Sequence, residues 1–294
     1  MTAASPRGAA SAFALYVACV FVLGATLAMP SHGLLAALLD QPPALHKWTA
    51  NLLKLLALLG LVPLLRLQAI TLKHGLAIGS GRVVRTEALV GLVLGCTSMG
   101  LVLSVLLALD VRVAEPNLTM AMVLSAATRA AVVALLVASI EELWFRGALQ
   151  SALRPCGPIA ALVSVASVYA LLHFLRPDTV FAPPYLWIDG VRAVGGMFGR
   201  LSDFAYLDSA IALLIAGLVL GCAREYTGRI ALAWGIHVGW VFVIQSARRV
   251  TTLNDTDASW LVGHYDGFIG WAFSAVTVLL LVVAGLRWRA RIRQ

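Results

Sequence analysis

The chain has 294 residues, of which 61% are hydrophobic and 12% charged, with a mean hydropathy of +0.90. A water-soluble domain needs far more polar surface, so this composition excludes a soluble protein and points to an integral membrane protein. The formal charge of +8 does not argue for nucleic acid, because the basic residues sit at the ends of apolar runs and in short loops, where they orient membrane spans and meet anionic headgroups.

Apolar runs of about 20 residues recur, each long enough at about 1.5 Å per residue to cross a hydrocarbon core of about 30 Å. The expected fold is all-α: a polytopic membrane helix bundle of about eight spans, forming one domain over residues 1–294. The first run, 12–29, follows Arg7 and could pass for a signal peptide. It is longer than the usual apolar region of one, and it reads as an uncleaved first helix. The others are 48–69, 87–109, 121–153, 158–175, 207–224, 229–248 and 267–288. Neither an internal repeat nor a linker divides them. Four dispersed cysteines (Cys19, Cys96, Cys156, Cys222) carry no C-x-x-C pair and read as small core residues.

Arg66, Lys73, Arg82 and Arg85 lie between spans two and three, Arg154 after span four, Arg224 and Arg229 between six and seven, and Arg287, Arg289, Arg291 and Arg293 in the tail. With eight spans all fall on one side, which the positive-inside rule makes cytoplasmic, together with both termini. The long outer segment from Arg176 to Asp208 is rich in aromatic residues and glycine. It reads as an interfacial anchor or as a lid.

Span four holds "SIEELWFRGALQSALRP", Ser139 to Pro155. Arg129 lies about 18 Å of helix before Glu141 and Arg154 about 20 Å after it, which puts Glu141 near mid-membrane if the arginines mark the interfaces. A charge there is costly and usually marks a site. Residues four apart on a helix are neighbours, so Glu142 pairs with Arg146, whereas Phe145 occupies the corresponding place for Glu141. Glu141 therefore needs a partner from another span. Pro155 and Pro158 bracket a tight turn, and His173, fifteen residues after Pro158, shares the depth of Glu141, which lies fourteen before Pro155. His237, nine residues past Gly228, comes to a similar depth about 13 Å from the inner end of its span. Of the six histidines only these two fall inside predicted spans. Singly, each is as readily a packing residue; four ionisable groups at one depth favour a site.

These residues resemble the intramembrane CAAX-protease and bacteriocin-processing family, the type II CAAX endopeptidases, whose pattern is E-E-x-x-x-R, then F-x-x-x-H, then H-x-x-x-N. Here Glu141, Glu142 and Arg146 complete the first motif, Tyr169 to His173 form the second with tyrosine for phenylalanine, and His237 to Val241 form the third with valine for asparagine. The resemblance covers about residues 120–245. It implies an endopeptidase with Glu141 as general base, His173 orienting or polarising the water and His237 donating to the oxyanion. Glu142 and Arg146 are then the supporting pair, and no metal or other cofactor takes part. Val241 cannot donate a hydrogen bond, and losing one oxyanion donor typically costs about 10²–10³ in rate. Tyr169 or Gln245, one turn beyond Val241, is the candidate substitute.

Three other readings stay open: the same side chains as zinc ligands, a proton-coupled transporter relaying protons through the glutamates, and a catalytically weakened member acting as a scaffold. The expected partners are the bilayer and a membrane-embedded or lipid-anchored protein or peptide, and the expected location is the cell (inner) membrane.

Overall fold

The computed structural model describes residues 5–67, 70, 76–176 and 179–292. Lys73 and Arg293 of the orientation argument lie outside these residues. Each predicted span falls on a helix: α1 (Pro6–Leu38), α2 (Leu45–Leu67), α3 (Gly81–Ala108), α4 (Met120–Glu142), α5 (Pro158–Phe174), then α7 (Leu207–Thr227), α8 (Ala231–Val250) and α9 (Trp271–Ile292) after a short α6 (Asp189–Gly196). Among the described residues, six helical stretches are long and apolar enough to cross a membrane: α1, α2, α3, Met120–Cys156, Phe204–Thr227 and Trp271–Ala290. The protein is an all-α, multi-pass membrane protein. Helix α5 is apolar but has 17 residues. Helix α8 carries His237, Gln245, Arg248 and Arg249; half of its twenty residues are buried, His237 among them, while Arg248 and Arg249 are exposed.

The chain groups into two compact units. The first comprises Met1–Thr71, Ala152–Gly157 and Leu171–Phe204. Here α1 runs on past the expected end at 29, through Pro30, to Leu38. The extension is fastened by side chains: Ser31 donates to the Ala28 carbonyl at 3.2 Å, and the buried His32 ring reaches the Pro43 carbonyl through Nε2 at 2.9 Å. His32 and His46, both outside the expected spans, thus also lie buried within helices, in α1 and α2. The segment 176–208, expected as an interfacial anchor or a lid, contains α6. Asp189, its first residue, ties the preceding turn to it by accepting from the Leu186 N–H at 2.8 Å. Its buried Val194 and the following Met197 pack with Leu53 of α2 and with Phe21 and Ala25 of α1.

The second unit comprises Leu72–Ser151, Pro158–Ala170 and Ala205–Gln294. Its closest helix pair is α3 with α8. Gly91 and Gly95 on one face Gly235 and Gly239 on the other, and a Cβ at any of the four would strike the opposing backbone. Two reciprocal G-x-x-x-G stripes thus let the backbones touch, the membrane solution to packing where lipid supplies no hydrophobic drive. The other side of α8 meets an alanine stripe on α4: Ala126, Ala130, Ala134 and Ala138, buried every fourth residue.

At one end of this unit, β1 (Arg112–Ala114) pairs antiparallel with β2 (Thr251–Leu253). The buried Arg112 donates from Nε to Thr251 Oγ1 (2.8 Å), from Nη2 to the Thr251 carbonyl (3.0 Å) and from Nη1 to the Gly267 carbonyl (3.1 Å), with its Cζ 4.1 Å from the centre of the Phe268 ring. Burial, then the charge of Arg248, lowers the Arg112 pKa, opposed by Asp266.

Candidate active site

The alanine stripe of α4 continues with Glu142, and α4 passes directly into a π-helical segment, Leu143–Leu149, in which the Gln150 N–H bonds the Phe145 carbonyl five residues back. π-Helical turns concentrate at functional sites, because the extra residue re-aims the side chains that follow. Along this face Glu142, Arg146 and Gln150 succeed one another at intervals of four, and each is completely buried.

Arg146 Nη1 donates to Glu142 Oε1 at 3.0 Å, the pair that the spacing of four requires. Its Nη2 donates to the Gly217 carbonyl of α7 at 3.2 Å. The guanidinium carbon lies 4.6 Å from the centre of the Tyr169 ring on α5 and 5.5 Å from that of Phe145. Tyr169 also meets Phe145 edge-on at 5.1 Å and faces His237 at 6.2 Å and 81°. It is a platform beneath the cation and a wall beside the imidazole.

His237 lies between Gly235 and Gly239, so the glycines that fix α8 on α3 also fix where its ring projects. Its Nδ1 is 2.8 Å from Glu142 Oε1. An ionised carboxylate only accepts, so Nδ1 is the donor to it, and in the neutral tautomer that this bond selects Nε2 is the acceptor nitrogen. Nε2 is 3.8 Å from Glu141 Oε2, too long for a direct hydrogen bond. Glu141 Oε2 and Glu142 Oε2 are buried and have no hydrogen-bond partner among the described residues, although the Glu141 side chain as a whole is 26% exposed. One indole closes the arrangement: Trp234 Nε1 on α8 donates to Ser139 Oγ on α4 at 3.0 Å.

Glu141, Glu142, Arg146, Tyr169 and His237 therefore come together, but in a wiring that spacing alone did not give. Glu142 binds both Arg146 and His237 through the same oxygen, while Glu141 is left facing Nε2 across a gap. His173 is half-buried in the last turn of α5, in a segment of the first unit. Val241 packs with Ala134, Ala138 and Val238 in an apolar cluster. Gln245 lies about 12 Å along α8 from His237, and its amide oxygen accepts from Arg249 at 3.2 Å. Among the described residues, no three His, Cys, Asp or Glu side chains group as a metal ion would require.

The sequence reading missed a second buried polar group next to this one. Gln150 Nε2 donates to Glu225 Oε1 at 3.0 Å and reaches the Gly221 carbonyl at 3.4 Å. Glu225 also accepts from Arg224, whose Nη2 donates to Ser151 Oγ at 2.8 Å. Arg224, expected as a loop charge, is instead buried in the last turn of α7, because the helix continues to Thr227 and ends at Gly228 in the left-handed conformation. The usable signal was the interval of four carried past Arg146 to Gln150.

Residues 122–243 match the family model described as Type II CAAX prenyl endopeptidase Rce1-like. The matched stretch contains every residue of the cluster, so the family resemblance carried by the motifs holds there, and it supports a membrane endopeptidase in general. Nothing among curated proteins or solved structures matches the chain.

Proposed function

We propose that this protein is an intramembrane endopeptidase that hydrolyses a peptide bond in a membrane-embedded or lipid-anchored protein, with Glu141 as the general base. The observation that carries the reading is the 3.8 Å gap between Glu141 Oε2 and His237 Nε2, two polar atoms that face each other without bonding. A water about 2.8 Å from both would subtend an angle of about 85° at its oxygen, a geometry one water can adopt. Such a water gives one hydrogen to Glu141 and one to the bare Nε2.

The chemistry then balances within the site. Glu141 takes a proton as the water oxygen adds to the carbonyl carbon, the tetrahedral oxyanion forms, and the C–N bond breaks as Glu141 returns the proton to the leaving amine. His237 orients the water, held in one tautomer by Glu142 as a carboxylate holds the imidazole of a hydrolytic triad. Its donation to the oxyanion, the role implied by the family, requires the ring to be protonated on Nε2 as well. His173 shares in activating the water, as the resemblance implies. Tyr169 rather than Gln245 is the better placed substitute for the donor absent at Val241, because it borders the imidazole whereas Gln245 is engaged by Arg249.

Comparing the membrane proteomes of cells carrying the wild-type protein and Glu141→Gln tests the reading. One or more membrane proteins should accumulate uncut in the variant at equal expression. Equal processing in both would refute Glu141 as the base. Stoichiometric zinc in the purified protein, with loss of cleavage on chelation, would replace the metal-free mechanism by the zinc one.

A further inference from the structure

We infer that Gln150 and Glu225 are positioning residues for the Glu142–His237 pair, keeping the π-helical segment in one register on α7. The argument begins with two matched intervals of four. Arg146 and Gln150 on the π-helical side donate to the carbonyls of Gly217 and Gly221 on α7. Both acceptors are glycines that pack closely on α5: a Cβ at Gly217 would lie 3.0 Å from Ala166, and one at Gly221 would displace the Leu162 side chain and come within 3.4 Å of Gln150 Oε1. The two bonds repeat one relation, so sliding α7 along the segment by a single residue breaks both.

What selects this register over its neighbours is the carboxylate at the end of the row. A backbone carbonyl occurs at every residue and cannot by itself mark one position. Glu225 can, since it is the charged acceptor for Gln150 Nε2 and is itself held by Arg224, with Arg224 tied back to Ser151 beside Gln150. This ring closes between the two elements, with Gln150, Arg224 and Glu225 buried and Ser151 partly so, and a slip would separate the Arg224 and Glu225 network from Gln150 in a low-dielectric interior. The Gln150 acceptor oxygen has no partner and is completely buried. Leaving it so is costly, and the donor end of the same amide supplies the compensating contact.

From this anchor a single line of contacts reaches the imidazole. The register on α7 sets the Arg146 guanidinium, Arg146 Nη1 sets Glu142 Oε1, and the same oxygen holds His237 Nδ1. Neither Gln150 nor Glu225 touches the proposed water, so their effect passes through Glu142. Its consequence for catalysis rests on the protease reading; the structural coupling does not.

The experiment therefore needs no substrate. In protein labelled with ¹⁵N-histidine in detergent micelles, the N–H that His237 Nδ1 donates to Glu142 should give a low-field imidazole proton resonance, assigned by its loss in His237→Gln. Gln150→Leu and Glu225→Leu should shift or broaden this resonance with helix content intact by circular dichroism. Glu225→Gln, which keeps an acceptor for Gln150 but not the charge, should displace the resonance less than Glu225→Leu does. Arg112→Met, a destabilising change elsewhere in the same unit, should leave it in place. An unmoved resonance in the two leucine variants overturns the inference, as does an equal displacement in Arg112→Met, which would reduce the effect to general loosening. Should a leucine variant fail to fold, Gln150→Ser, with less bulk, supplies the same reading with the same two outcomes.

Discussion

Two buried guanidiniums in the second unit invite comparison. Arg112 and Arg146 each lie over an aromatic ring and each bridge separate stretches of chain. Arg112 bonds through Nε, Nη1 and Nη2 to neutral acceptors of β2 and the Gly267 turn. Arg146 bonds a carboxylate that also holds an imidazole, its Nε has no partner, and oxygens of both neighbouring glutamates are left without one. The first network is complete and joins two strands and a turn. The second is incomplete, and a buried polar atom with no partner is a standing cost that structure alone does not explain. Completeness, more than burial or charge, separates a clamp from a candidate site.

Substitutions can break or sharpen this contrast. The largest expected effect is on rate: Glu141→Gln should lower cleavage by about 10²–10⁴-fold, the usual contribution of a general base, with stability changed by less than about 0.5 kcal/mol. Comparable loss of rate and of fold would remove the distinction between base and scaffold. Next is Glu142→Leu, which strands a buried arginine and should cost about 3–5 kcal/mol in a detergent unfolding titration. A neutral result there would mean that the Arg146 charge finds another partner.

Arg112→Met should cost less, about 1–3 kcal/mol, since it deprives only neutral acceptors of their donor, and cleavage per folded molecule should stay at the wild-type level. If that specific activity fell, the clamp would belong to the site after all. The smallest effect is expected at the half-exposed Arg229, which pairs with Glu87 at the start of α8 and whose pKa the hydrogen bond to Glu87 raises. Arg229→Ala should cost no more than about 1 kcal/mol, and less at high salt.

Much of this was legible in the chain. The apolar runs give the helices because a span must satisfy its own backbone hydrogen bonds, and that is a local property. The Glu142–Arg146 contact is likewise local, an interval of four on one helix. The two G-x-x-x-G stripes, Gly91 to Gly95 and Gly235 to Gly239, were readable as well, although only their mutual contact gives them meaning.

The sequence by itself determined that this is a multi-pass helical membrane protein and that one of its spans carries clustered ionisable groups, Glu141, Glu142 and Arg146, since composition and helical period are summed over neighbouring residues. Tertiary structure alone decided which glutamate holds His237 and that Arg224 is buried and donates to Ser151. Those contacts join residues 73 to 95 positions apart or depend on where a helix stops. Helical period fixes the face of a side chain, but the depth and rotation of one helix against another are set by close backbone packing, here the glycine contacts of α3 with α8 and of α7 with α5.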